Sequence, residues 1–91
     1  MAKVGDRVFA VRNGDDNTIY LYGHGTFLGH KPRTVLGVEV PNPCIELDDD
    51  KGIIWGCECW WGPESRFKKF CDKKTVEVVP MPTEEERSTV K

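Results

Sequence analysis

Apolar residues come in short runs along this chain, and turn residues separate them. VGDRVFAVR (4 to 12) reads as a first strand, led in by Gly5-Asp6. NGDDN (13 to 17) is a turn signal. TIYLYGHGTFLGH (18 to 30) is rich in β-formers, but Gly23, Gly25 and Gly29 interrupt it, which predicts a bulged or sharply bent strand. KPRTVLGVEVPNP (31 to 43) is bracketed by prolines. It reads as a connection carrying a short edge strand at Val35–Val40.

The second half is clearer. Cys44–Leu47 is one strand, Asp48–Gly52 a tight turn and Ile53–Trp61 the return strand of a hairpin. Gly62-Pro63 stops it. Pro63 then suits the first position of a short helix, with Phe67, Phe70 and Cys71 on one face. KTVEVVPM (74 to 81) is a last strand. The polar tail MPTEEERSTVK has capping-box spacing at Thr83 and Glu86, so either a short helix or a disordered end fits it.

Strand, bent strand, loop, hairpin, helical turn and final strand, in that order, resemble an SH3-like small β-barrel. The residues that carry the likeness are Val4-Gly5-Asp6-Arg7-Val8, Gly25-Thr26-Phe27-Leu28-Gly29, Ile45-Glu46-Leu47-Asp48 and Thr75-Val76-Glu77-Val78-Val79-Pro80. The resemblance implies a mainly all-β barrel of about five strands over residues 1–81, followed by a C-terminal tail over 82–91. Three runs, at 23 to 29, 42 to 48 and 55 to 62, also look like small uncharacterised proteins of phage and bacterial genomes. That likeness implies an origin and supplies no activity.

Ninety-one residues suit one domain with a small core. The net charge of -2 argues against a general electrostatic grip on nucleic acid. No run is long enough to span a membrane, and MAKVGDRVFAV has no signal-peptide core, so the expected location is the cytoplasm. Reduced thiols are then the better reading of the four cysteines.

Strand alternation across 53 to 61 would put Cys57 and Cys59 on one face, with Cys44 on the partner strand and Cys71 on the helix. Four thiols could meet on zinc, which makes a structural zinc domain one alternative. C-x-C is nevertheless a poor match to zinc knuckles, and buried packing thiols are the favoured reading; no metal or other cofactor is expected. Asp48-Asp49-Asp50 lacks the loop and bidentate glutamate of a calcium hand and reads as a solvated turn. No nucleophile–base spacing of a known kind is present, so the chain is expected not to be an enzyme.

The tryptophans are the most informative feature. Alternation would place Trp55 and Trp61 on one face and Trp60 on the other, while a small barrel has one interior. At least one indole must then be covered by a loop, the tail, another subunit or a ligand. Beside them, residues 64 to 74 hold five basic and two acidic side chains. The candidate partner- or ligand-binding residues are therefore Tyr20, Tyr22, His24, Glu58, Trp60, Trp61, Arg66 and Lys69. Two uses follow. One is docking of a protein partner or a second copy through an exposed aromatic surface. The other is capture of a small anionic ligand such as a nucleotide, with a ring stacked on a base and a cation on the phosphate.

Overall fold

A computed structural model describes residues 3–83. It is mostly β. Strand β1 is Arg7–Gly14, β2 Thr18–Val35, β3 Val38–Leu47, β4 Gly52–Trp55, β5 Trp60–Pro63 and β6 Thr75–Val78. A helical turn, α1, covers Phe67–Phe70. The sheet order is β4-β3-β2-β1-β5, and β6 joins β2 off that path. All pairings are antiparallel except β6 with β2, which is parallel.

β2 does two jobs because it is long and bent. Its first half pairs with β1 and β6, and its second half pairs with β3. The expected irregularities occur as register shifts against β1 near Ala10 and Val11, and against β3 between Phe27 and His30, where Gly29 has φ +95°. Gly25 serves a different need. A Cβ there would lie 2.3 Å from the Glu46 carbonyl oxygen, so only glycine lets β3 come this close.

Four expectations are corrected. The expected count of about five strands becomes six among the described residues, in one sheet. Residues 31 to 43 are not a connection: they form most of a long β2–β3 arm, which turns at Leu36 and Gly37 with φ of +53° and +80°. Two positive φ values in a two-residue loop give the hairpin turn that matches strand twist. The prolines misled because Pro32 and Pro41 sit opposite each other on an arm that no third strand flanks among the described residues, where missing N–H groups cost little.

The third correction concerns Ile53–Trp61. It is two strands, not one. A 3-10 turn at Gly56–Glu58 breaks it, with β4 paired to β3 and β5 carried across to β1. The Glu58 carboxylate accepts from the Trp55 N–H at 3.0 Å and so fixes the start of the turn. Fourth, Pro63 is extended and ends β5, and helical geometry begins at Glu64. The capping spacing of Thr83 and Glu86 lies partly outside the described residues, as does most of the 82–91 tail.

Two apolar clusters stabilise the fold. The inner one contains Val8, Ala10, Tyr22, Phe27, Ile45, Leu47, Ile54 and Val79, with Trp61, Cys59 and Met81 packed against it. The outer one, on the other face of β1 and β2, contains Phe9, Val11, Ile19 and Leu21 beneath Phe67 and Cys71 of the helical turn. The uninterrupted VFAV run of β1 follows from this, since Val8 and Ala10 belong to one cluster and Phe9 and Val11 to the other. Each large side chain buried in this way stabilises by about 1.5–3 kcal/mol before ordering costs.

β6 closes part of an edge of β2. Where its pairing with Thr18–Leu21 ends, the Val79 N–H donates to Leu21 O at 2.8 Å and Lys51 Nζ donates to Tyr22 O at 3.0 Å. The Asp48 N–H then donates to His24 O at 3.0 Å, after which β3 takes over. A lysine and two loop amides thus bridge two strands that do not abut.

Candidate functional site

The break at Gly56–Glu58 separates the three tryptophans. Trp61 pairs with Ala10 across β5–β1 and turns inward onto Phe27, ring centroids 5.2 Å apart and planes 13° apart. Trp60 pairs with Val11, a residue of the outer cluster, and shares its face; it is 72% exposed. Trp55 is half-buried, with the Arg33 guanidinium 5.2 Å from its ring. The expectation of an indole outside the interior is met by Trp60. The face assignments behind it hold only within β5, because the strand assumed to run from 53 to 61 does not exist.

Trp60 stands at one flank of an uncovered apolar area. The helical turn shields part of the outer cluster: Phe67 and Phe70 lie 5.1 and 5.2 Å from the Phe9 ring. It stops short of the edges. Phe70 remains 45% exposed. On the far flank Val76 and Val78 pair with Ile19 and Leu21 of the outer cluster and are exposed as well. Between Trp60 and Phe70 runs a groove of about 300 Å³ floored by Val11 and Ile19, with Lys74 at its side. A second groove, about 330 Å³, lies between Trp60 and Arg12; a third, about 540 Å³, lies between Phe70, Arg66 and Lys69. Two rings therefore divide three shallow grooves, and each groove has a cation.

The other candidates are placed unevenly. Arg66 and Lys69 are exposed beside Phe70 and belong to this face. Tyr20 is half-buried and carries the Arg12 guanidinium 5.1 Å from its ring. Tyr22 is a core residue, 3% exposed, and offers no docking surface. His24 lies elsewhere, edge-on to Phe67 at 4.7 Å and with Nδ1 3.2 Å from Glu64 Oε2. Glu58 is structural. Its side chain is 3% exposed, it caps the 3-10 turn and it lies 3.7 Å from Arg33 Nη2. Sequence reading missed Phe70, Arg12, Val76 and Val78. Helical spacing puts Phe70 on one apolar face with Phe67 and Cys71 but does not tell a covered part of that face from its edge. The parallel partner of β6 has no local signature.

The sulfurs do not converge. All four cysteines are free; Cys44 is buried, Cys57 exposed, and Cys59 and Cys71 lie between. Arg33 Nη1 donates to Cys57 Sγ at 3.1 Å. Cys59 donates to Trp55 O at 3.5 Å, and burial pushes its thiol up to about 12. Among the described residues no three His, Cys, Asp or Glu side chains are grouped to hold a metal. Nor is any described helix long and apolar enough to cross a membrane.

An ion-pair cluster ties the chain ends of the sheet together at a different place. Arg7 makes two hydrogen bonds with Asp48, one of 2.9 Å from Nη1 to Oδ1, and lies 3.4 Å from Glu64. Every member is substantially exposed, so its contribution is small. No family model, curated protein or solved structure matches this chain.

Proposed function

We propose that this chain is a non-catalytic protein-interaction module whose docking face is the outer surface around Trp60 and Phe70. The observation that carries the reading is Trp60 itself. A 72% exposed indole on a strand next to a well-covered one is costly to leave in water and is the kind of residue that dominates protein interfaces. Val76, Val78 and Phe70 extend the apolar area across the same side of the sheet. The strand path β4-β3-β2-β1-β5, with a 3-10 turn between β4 and β5, supports an SH3-like barrel as the scaffold. Binding needs nothing more than this rigid presentation.

A second reading, capture of a nucleotide-like anion, is favoured by the groove that sets Arg66 and Lys69 beside Phe70. One experiment separates the two. A photo-crosslinking benzoylphenylalanine replaces Trp60, with Glu46 on β3 as the control position, and the protein is irradiated in cells that express it. The protein reading expects position-60 adducts that protease removes and nuclease does not. Adducts that add only the mass of a single nucleotide to the intact chain would favour the second reading, and no adduct above the Glu46 control would sink both.

A further inference from the structure

We propose that the partner is a different protein, met through an acidic segment that carries an apolar anchor, and not a second copy of this chain. This rests on the docking face assigned above. Residues 64 to 74 have an excess of three positive charges on a chain of net charge -2, so the other 80 residues carry a net of -5. Five of the thirteen basic residues thus fall within eleven positions of an otherwise acidic chain. Among the described residues Arg66, Lys68, Lys69 and Lys73 are in no ion pair. Of the two acids in the stretch, Glu64 is turned to Arg7 and His24, and among the described residues Asp72 is in no ion pair with these cations. Lys74 donates to Asp15 O at 2.7 Å and sits close enough to lower the Asp15 carboxyl, so the cations left uncompensated beside Phe70 are Arg66, Lys68, Lys69 and Lys73.

That distribution selects the partner. Two copies meeting by this face would set like charges against each other, whereas a two-fold contact needs a self-complementary patch. A head-to-tail contact with the acidic Asp48–Asp50 turn would not close and would give open chains of copies. An acidic segment of another protein satisfies both parts of the surface. Its carboxylates meet Arg12, Arg66 and Lys69, and an aromatic or large aliphatic side chain fills the groove between Trp60 and Phe70. A single-stranded nucleic acid would use the rings and cations but gain nothing from Val76 and Val78, whose aliphatic side chains are exposed on the same face.

The test is selection from a displayed library of random twelve-residue peptides against the full chain, with binding then measured on variants. The expected winners combine an excess of Asp and Glu with at least one aromatic or large aliphatic residue. They should lose about tenfold or more in affinity with Trp60→Ala, and similarly with Arg66→Glu/Lys69→Glu, and weaken as salt rises. Melting curves check that each variant stays folded. Winners that need Trp60 but show no acidic excess and ignore the charge reversals would overturn the inference and leave the docking face standing. Winners indifferent to Trp60→Ala, or an empty selection, would count against both. Two further results would also overturn it: a labelled ten-residue oligothymidylate or oligouridylate that binds through Trp60 and displaces the peptides, or light scattering that finds a dimer which Trp60→Ala dissociates.

Discussion

Trp61 lies parallel to Phe27, 5.2 Å between ring centroids, one residue after an indole that is mostly in water. The adjacent tryptophans should therefore behave oppositely. Trp61→Ala removes a ring packed on the inner core and is expected to cost about 3 kcal/mol in chemical denaturation. Trp60→Ala should change stability by no more than about 0.5 kcal/mol. Comparable losses from the two would contradict the inward and outward assignment.

Gly25→Ala tests the crossing of β2 and β3. The new methyl would meet the backbone of Glu46, which cannot rotate away, so a loss of about 3 kcal/mol or failure to fold is expected. Gly37→Ala, at the arm tip with open space around its Cβ position, should be much milder, its cost coming from φ alone. Equal effects in thermal melts would show that close approach is not why glycine stands at position 25.

Thiol reactivity should rank the cysteines by burial. Cys57 is exposed and should react first with a disulfide reagent near neutral pH. Cys59, its thiol raised to about 12 by burial, should stay unreactive until the protein unfolds. Burial raises Cys44 and Cys71 too, so they should also be slow. Stopped-flow labelling of Cys57→Ser should lack the fast phase; its persistence would mean that another sulfur is the open one.

Acid should weaken the fold through Asp48 and Asp15. The hydrogen bond from Arg7 holds the Asp48 carboxyl below its ordinary value, and the N–H groups of Asn17 and Thr18 do the same for Asp15. A carboxyl lowered in the folded state stabilises above its unfolded value and stops doing so as pH falls through the folded one. The melting temperature should thus drop as pH falls from about 4 to about 2, and Asp48→Asn should flatten that drop. An unchanged acid limb in Asp48→Asn would remove the pair from the account.

Local signals were readable in the sequence and non-local ones were not. The β1 run and the Asp48–Gly52 turn need only their own residues to be recognised. The 31-to-43 arm is hidden because Pro32, Pro41 and Pro43 look like breakers; that Pro32 faces Pro41 and Pro43 faces His30 appears only once β2 and β3 are in register. The Gly56–Glu58 break was masked by a strand-like alternation of Cys57 and Cys59. Its one clue was Glu58, three residues after Trp55, where a carboxylate can cap a turn. For the site, the exposed tryptophan and the basic stretch were visible. Tyr22 and Glu58 looked equally available but are spent on core and turn. Val76 and Val78 joined the face through a parallel pairing with β2 that no local pattern announces.

The central claim is that the face bearing Trp60 binds a protein. Its most direct test is calorimetric titration of the partner recovered from the position-60 crosslink against the unaltered chain, Trp60→Ala and Val78→Ser. The expected result is at least a tenfold loss of affinity for Trp60→Ala and a smaller loss for Val78→Ser, with melting temperatures unchanged. Equal affinity across all three proteins would contradict the claim and return Trp60 to the status of an ordinary surface residue.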